Sequence, residues 1–240
     1  MTAIEFGRRR GGNPTWPLAE SCWVLHDLGR WDELLETTEE VRRVEEQHGA
    51  AQPGAMAQTY AALVHVRRGN LVDAEAVAED ALSRSRVVED PQVLGPALVV
   101  SALLAEAKAN ASEALRYVEE FRRVTRDRPW FRAQNLTDAA RVACAGGNVE
   151  LAVSLLDNVV TAAEWDRLAA LTARATITAA RGERSLDLYA EAAAGWQELG
   201  CVFEQALALR GAGDGEAASA ILGELGVPLP PAQTAARTAK

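Results

Sequence analysis

The segment that decides the fold of this chain is Ala62-x-x-His65-x-x-x-Gly69-Asn70-Leu71-x-x-Ala74-x-x-x-Ala78-x-x-Ala81-Leu82. Two other segments repeat its pattern of small and apolar residues around a glycine: Cys22-x-x-Leu25-x-x-x-Gly29-Arg30-Trp31-x-x-Leu34-x-x-x-Thr38-x-x-Val41 and Ala140-x-x-Ala143-x-x-x-Gly147-Asn148-Val149-x-x-Ala152-x-x-x-Leu156-x-x-Val159-Val160. A pattern with a period near forty residues predicts stacked helical hairpins, because each hairpin can bury its apolar face only against its neighbours. We therefore expect an all-α solenoid with a concave surface for binding.

The turn between the two helices of each hairpin supplies a marker for the repeat. The markers are 40, 40, 38 and 35 residues apart, at Gly29, Gly69, Ala109, Gly147 and Gly182. Glycine suits this position because a helix commonly ends in a left-handed residue, a conformation that is unfavourable for a residue with a side chain. At Ala109 we expect the neighbouring Asn110 to adopt that conformation instead, with Ser112 capping the next helix.

Positions counted from the markers predict how the helices pack. The residue five positions after the marker is small or apolar in four hairpins. In the fifth hairpin this residue is Asp187, which predicts that the second helix there is shifted by a residue or two. Seven positions before the marker, where we expect the two helices to approach most closely, every side chain is small: Cys22, Ala62, Ala102, Ala140 and Ala175. Trp31 and Trp196 are predicted to belong to the core.

Composition excludes several classes of protein. The net charge of −9 argues against a general affinity for nucleic acid, and the one dense basic run is Arg8-Arg9-Arg10. Three cysteines that are far apart suit reduced thiols of a cytoplasmic protein rather than a disulfide framework. No apolar run is long enough to cross a bilayer, so we expect no membrane association and a cytoplasmic location.

The marker pattern resembles the tetratricopeptide repeat (TPR), with its small residue in the first helix, its turn glycine and its alanines in the second helix. The resemblance covers roughly residues 16–200, although the repeats are longer and the connectors near 47–54 and 86–95 exceed the family minimum. The segment 189–226 is similar to the end of the repeat region in large bacterial signalling ATPases, namely cyclase-like and LuxR-type regulators. This likeness implies a right-handed superhelical solenoid of five to six antiparallel hairpins.

No motif indicates catalysis or a cofactor. A phosphate-binding loop is absent, and Gly211-Ala212-Gly213-Asp214-Gly215 follows a predicted helix, so we interpret it as a turn between helices. Cys22 and His26 have the spacing of two metal ligands, but no second pair completes a site, and we predict no metal. Paired glutamates between arginines indicate a solvated helix face rather than a catalytic dyad. We expect that the chain is not an enzyme and that it binds no cofactor.

The resemblance implies that first helices line a groove for a protein or peptide. We predict that Trp23 and Met56 anchor apolar groups there, while Arg67 and Arg141 orient an acidic partner. The groove residues that we predict to bind the partner are Trp16, Trp23, His26, Met56, Arg67, Gln134 and Arg141, and the same register places Leu63, Val66, Glu106 and Thr137 along the groove. The leading functional hypothesis is a non-enzymatic binding scaffold within a bacterial signalling protein. The alternative is a small-molecule sensor that controls transcription or cyclase activity, which a closed, deep, aromatic-lined cavity would favour, whereas an open, shallow groove would favour the scaffold.

The ends of the array differ in the sequence. Residues 1–14 are predicted to be a disordered lead-in and residues 227–240 a disordered tail rich in Pro and Ala, on either side of a repeat region at 15–226. The short hairpin near 203–225 carries Glu204 and Arg210 on what we interpret as a polar outer face. The first helix instead carries Trp16 and Trp23, which predicts an apolar patch covered by an upstream domain, a partner or a second copy.

Overall fold

The computed structural model describes residues 14–49 and 52–228 of the chain. The predicted lead-in and tail lie outside these residues except for Pro14, Val227 and Pro228. The described residues form thirteen helices and no strand, so the all-α prediction is confirmed. These helices are α1 (Thr15–Asp27), α2 (Trp31–His48), α3 (Gln52–Arg67), α4 (Leu71–Val88), α5 (Pro91–Ala107), α6 (Ala111–Val124), α7 (Pro129–Ala133), α8 (Leu136–Ala145), α9 (Val149–Leu155), α10 (Glu164–Ala180), α11 (Leu186–Leu199), α12 (Val202–Gly211) and α13 (Gly215–Glu224).

Consecutive helices pair into six hairpins. The contacting pairs are α1 with α2, α3 with α4, α5 with α6, α8 with α9, α10 with α11, and α12 with α13. The first helices of neighbouring hairpins also touch, since α1 contacts α3, α3 contacts α5, α5 contacts α8, and α8 contacts α10. The short helix α7 precedes the fourth hairpin and contacts α5, α8 and α10.

The turns place a left-handed residue at every predicted marker. Gly29, Gly69, Gly147 and Gly182 have φ between 71° and 78°. The prediction for the third turn is wrong: Ala109 itself has φ 58°, whereas Asn110 has φ −99° and caps α6 by accepting from the Glu113 backbone N–H. Asn110 is free to cap because the residue before it has already closed the preceding helix. The Ser112 hydroxyl donates to the Asn110 side chain instead of capping the helix.

The predicted packing positions are buried. The five small residues seven positions before the markers are all fully inaccessible to solvent. Helix α11 begins four residues after its marker, whereas α2, α4, α6 and α9 begin two residues after theirs, which accounts for Asp187. Trp31 and Trp196 are buried as predicted, and the glycine-rich segment 211–215 is the turn between α12 and α13.

The connectors are shorter than predicted. Helix α2 runs to His48 and α3 begins at Gln52, and only residues 89–90 separate α4 from α5. Helices α2 and α4, which precede these connectors, are each 18 residues long, so residues 47–48 and 86–88 are helical instead of belonging to the connectors. Asp90 then caps α5 by accepting from the Gln92 backbone N–H, and Pro91 occupies the first helical position, where its missing N–H costs nothing.

The sixth hairpin packs against the first. Helix α12 contacts α1, and Phe203, Leu222 and Leu225 share one buried cluster with residues of α1 and α2. A Cβ atom placed at Gly29 would lie 3.0 Å from Leu225 Cδ2, and the Arg68 guanidinium donates to the Leu225 carbonyl over 3.0 Å. The hairpin expected to end the array with a solvated outer face therefore returns to its beginning.

Candidate functional site

The polar residues of greatest interest lie where the first helices of the hairpins meet. Helices α1, α3, α5, α8 and α12 each contribute at least one charged or titratable side chain to a connected network. We call this network the central cluster; it comprises His26, Arg67, Glu106, Asp138, Arg141 and Glu204. Three of these six, His26, Arg67 and Arg141, were predicted to bind the partner, and a fourth, Glu106, was placed along the groove.

Arg67 is the hub of the central cluster. Its Nη2 donates to Asp138 Oδ2 over 2.7 Å and lies 3.7 Å from Glu204 Oε1, so one guanidinium joins α3 to α8 and α12. The guanidinium also lies 3.7 Å from the centre of the Phe203 ring. Only 9% of the residue is exposed. Arg67 therefore lies buried against acidic residues of the same chain, and not in an open groove as we expected from the sequence.

His26 connects the first hairpin to this hub. Its Nε2 faces Arg67 Nη1, which can only donate, so Nε2 accepts and Nδ1 carries the proton donated to Asp27 Oδ1 at 3.1 Å. Burial, followed by the charge of Arg67, lowers the pKa of His26 and keeps the ring neutral. The ring stacks on Trp31, whose indole N–H donates to the His26 carbonyl. His26 is thus a buried structural link rather than a surface contact for a peptide.

Arg141 reaches the cluster from the side of α8. Its Nη1 donates to Glu106 Oε2 over 2.9 Å, and its Nε lies 3.7 Å from Asp138 Oδ1. The side chain is 38% exposed, in contrast to Arg67. Arg141 therefore keeps part of its guanidinium accessible while its charge is balanced within the chain.

The two buried carboxyl groups have pKa values that are pushed apart. Burial alone would raise the pKa of Asp138, but the charges of Arg67 and Arg141 outweigh it, and the net pKa is lowered. Burial and then the charge of Asp138 raise the pKa of Glu204 to about 7. Glu204 is 7% exposed, and its Oε2 has no hydrogen-bond partner among the described residues. A buried carboxyl group with an unused oxygen is the chemically most unusual feature of the site.

Two cavities of about 220 Å³ each flank the cluster. Both are lined by Asp138, Arg141, Leu207 and Arg210. The first, which we call the Glu204 cavity, adds hydroxyl groups and the buried carboxyl: Thr137, Thr172, Thr176, Tyr189 and Glu204. The second is lined by Val66, Leu103, Glu106 and Phe203 among others. Arg210 has no ion pair within the part of the chain that the structure describes.

The remaining predicted groove residues lie apart from the cluster. Met56 is 6% exposed and belongs to the core shared by the first and sixth hairpins, so it cannot anchor a partner at the surface. Gln134 is half-buried in the turn between α7 and α8, not on a first helix. Trp16 is 39% exposed and Trp23 is half-buried, both on α1.

Glu204, Asp138 and Arg210 were not among the predicted groove residues. A signal for Arg210 was present, because Gly213 is a sixth marker, with φ 93° and the buried Ala206 seven positions before it. Extending the register to this marker places Leu207 and Arg210 at the positions that Leu63 and Val66 hold in the second hairpin. Nothing in the register indicates that α12 would face α3 across the molecule.

Comparison of the chain with protein-family models, with curated proteins and with solved structures finds no match. Over residues 14–49 and 52–228, no three His, Cys, Asp or Glu side chains are grouped to hold a metal ion. None of the helices in the same ranges combines the length and the apolar character needed to cross a membrane. Function must therefore be argued from the central cluster itself.

Proposed function

We propose that the six hairpins form a right-handed, TPR-like superhelix in which the sixth hairpin closes on the first. The contacts between successive first helices and the recurrence of positive φ at the markers support this arrangement. The inner face of such a superhelix is too restricted for a long extended peptide, since predicted groove residues such as His26 and Met56 are buried. The burial of these groove residues favours the sensor hypothesis over the peptide scaffold, with hydroxyl and charged side chains rather than mainly aromatic ones lining the Glu204 cavity.

The function that this geometry supports best is a non-enzymatic regulatory module that binds a small polar molecule in the Glu204 cavity. The observation that carries this proposal is that Glu204, whose buried Oε2 has no hydrogen-bond partner among the described residues, lines this cavity. An unpaired buried acceptor costs about 1–3 kcal/mol, a cost that a donor group on a ligand would remove. At about 220 Å³ the cavity is smaller than the roughly 300–1,000 Å³ of drug-sized sites, so the ligand is a small metabolite.

Regulation follows from the position of the cluster. A ligand beside Glu204 contacts the sixth hairpin and, through Arg67, the second and fourth. Ligand binding would change the stability of the contact between α12 and α1, and this change would alter the activity of the domain that the chain regulates. We place this module in a bacterial signalling protein, the setting that the TPR-like resemblance implies.

Acid–base catalysis is the alternative use of two carboxyl groups with separated pKa values. It is disfavoured because Asp138 and Glu204 both contact the same Arg67 guanidinium, and Asp138 is held in a 2.7 Å ion pair. Only Glu204 has an unused oxygen, so a substrate cannot be placed between an acid and a base.

A second candidate function is protein binding through α1. Two large apolar side chains on this helix are exposed, Trp16 at 39% and Val24 at 53%, and Leu28 in the turn that follows is 42% exposed. Exposed aromatic and aliphatic side chains on one helix favour a protein partner or a second copy. This surface is separate from the Glu204 cavity, and the two functions are compatible.

Native mass spectrometry of protein purified under gentle conditions tests the ligand proposal. We expect a bound small molecule on the wild-type chain and its loss in Leu207→Trp, because Leu207 lines both cavities and the larger ring fills them. Leu186→Trp makes the same change at a 49% exposed position and should retain the molecule. A wild-type chain that carries no small molecule, and that no metabolite stabilises against heat, would contradict the proposal.

A further inference from the structure

The Glu204 cavity has an acceptor at its buried end. Glu204 Oε2 is enclosed and has no hydrogen-bond partner among the described residues, Oε1 lies 3.7 Å from Arg67, and the Thr137 hydroxyl is close enough to the carboxyl group to act against the rise of its pKa. A carboxylate in this state is best satisfied by a donor that also carries positive charge, because a charge-assisted hydrogen bond is about twice as strong as a neutral one. Protonated amines supply three such donors.

Hydroxyl groups on the cavity wall favour the same kind of group. The Tyr189 hydroxyl donates to Thr176 Oγ1 over 3.1 Å, and Thr176 Oγ1 in turn donates to the Thr172 carbonyl over 2.9 Å. Both hydroxyl protons are therefore committed, and their oxygens remain available only as acceptors. These two hydroxyl oxygens favour a ligand group that donates, while another hydroxyl of the wall, that of Thr137, interacts with the Glu204 carboxyl group.

The open end of the cavity has the opposite character. Arg210 is exposed, lines both cavities and has no ion pair among the described residues. It follows Glu204 by six residues on the same helix, a rise of about 9 Å. Its guanidinium presents planar paired donors that match a carboxylate or a similar anion. The charges of the cavity are thus divided between a buried negative end and an exposed positive end.

We infer that the ligand of the Glu204 cavity is a small zwitterion of the amino-acid class. Its ammonium group binds Glu204 at the buried end, and its anionic group binds Arg210 at the open end. This inference rests on the proposed function, because it names the ligand class of the same cavity.

Isothermal titration calorimetry on the full chain tests the inference. The probes are the proteinogenic L-amino acids and the unbranched ω-amino acids of three to six carbons. Each is compared with two analogues, one that lacks the negative charge (an amide or alkylamine) and one that lacks the positive charge (a hydroxy acid or carboxylic acid). We expect at least one zwitterion to bind about tenfold or more tightly than both of its analogues, the difference that one ionic contact of about 1.4 kcal/mol produces.

Two variants test which residue binds each charged group of the ligand. Arg210→Ala should abolish the advantage of the zwitterion over its amide or amine, and Glu204→Gln should abolish its advantage over the hydroxy acid or acid. Both variants should fold, since Arg210 is exposed and Gln removes a buried charge. The matched controls are Arg174→Ala and Glu198→Gln, at exposed positions that do not line either cavity, and they should leave the affinity unchanged.

Failure of the inference can be distinguished from failure of the proposed function. If a neutral or singly charged metabolite binds and Leu207→Trp removes it, the zwitterion inference is overturned and the ligand-binding module remains. If the zwitterion binds equally well to Arg210→Ala and Glu204→Gln, the assignment to this cavity is overturned. If no small molecule binds the wild-type chain, both proposals are overturned.

Discussion

Ala109 holds a backbone conformation that the other markers assign to glycine. Its φ of 58° lies in the left-handed region, where a side chain costs roughly 1–2 kcal/mol. The neighbouring Asn110 could have carried the positive φ, but it is needed to cap α6. The third turn therefore retains strain in exchange for a helix cap.

Replacing Ala109 by glycine should relieve this strain. We expect Ala109→Gly to raise the free energy of unfolding by about 0.5–1 kcal/mol, with part of the gain offset by the greater freedom of glycine in the unfolded chain. Gly147→Ala is the reverse change at a marker with φ 78° and no atom within 4 Å of the added Cβ, so it should lower the free energy of unfolding by roughly 1 kcal/mol. Chemical denaturation measures both; a destabilised Ala109→Gly would show that the turn is not strained.

Glu204 should give the protein a measurable pH dependence. Its pKa rises from 4.5 to about 7 on folding, so between these values the folded state binds more protons than the unfolded state. Stability contributed by the neutral carboxyl is present below about pH 4.5 and is lost as pH rises toward 7. Glu204→Gln removes this loss and should be more stable than wild type at pH 8, by up to on the order of 3 kcal/mol, with little difference at pH 4.5.

Comparison of the two proteins isolates this effect from the groups around it. Arg67, Asp138, Arg141 and Asp27 face the site, and the lowered pKa of His26 makes both proteins lose stability as pH falls below 6.5. Taking the difference between variant and wild type at each pH cancels the contribution of His26. Thermal melts from pH 4.5 to 8.5, with Glu198→Gln as an exposed control, provide the measurement. A gain that does not depend on pH would show that Glu204 titrates normally.

At the scale of the elements, the packing of the hairpins depends on small residues in the first helices. Ala62, Ala102 and Ala140 are fully buried and hold the same register position in three hairpins. Their spacing could be predicted from the sequence because each repeat imposes the same local geometry: a left-handed turn, then a helix that must approach its partner closely. The start of α11, which comes two residues later after its marker than in the other hairpins, was predicted in the same way from Asp187.

Enlarging these alanines should disturb the hairpins. We expect Ala62→Leu, Ala102→Leu and Ala140→Leu each to lower the free energy of unfolding by about 1–3 kcal/mol, because the added atoms find no space. Ala190→Leu, at an exposed position of α11, is the matched control and should change stability by less than about 0.5 kcal/mol. Urea denaturation distinguishes the two groups, and wild-type stability in two or more of the buried variants would refute the register.

At the scale of the whole molecule, the contact between the first and sixth hairpins decides what the inner face can do. This contact buries Leu18, Phe203 and Leu222 in one cluster and brings Glu204 to Arg67. It could not be predicted from the repeat pattern, since each repeat specifies contacts with its neighbours and contains no information about the curvature of the array. For this reason the sequence did not predict the ion pairs of the central cluster. His26 and Arg67 were predicted as groove residues, but the acidic residues that contact Arg67, Asp138 and Glu204, belong to hairpins far away along the chain.

Weakening this contact should loosen both ends of the chain together. Leu225→Ala removes a side chain that lies against Gly29, and such truncations of buried leucine typically cost about 2–5 kcal/mol. Hydrogen exchange followed by mass spectrometry should show faster exchange in α1 and α2 as well as in α12 and α13, while α6 keeps its protection. Leu186→Ala at an exposed position is the control. Faster exchange confined to α12 and α13 would mean that the first hairpin does not depend on the last.

The same contact has a kinetic consequence. Joining Gly29 to Leu225 closes a loop of 196 residues (225 − 29), whereas neighbouring markers such as Gly29 and Gly69 are 40 residues apart. In the random-flight estimate the longer closure costs about 1.4 kcal/mol more in chain entropy. Folding can therefore start in any pair of adjacent hairpins, but the junction of first and last is the entropically most expensive step and should form last. Until it forms, the sixth hairpin is not held against the beginning of the chain, so the contact between Glu204 and Arg67, and with it the central cluster, is complete only when folding is complete.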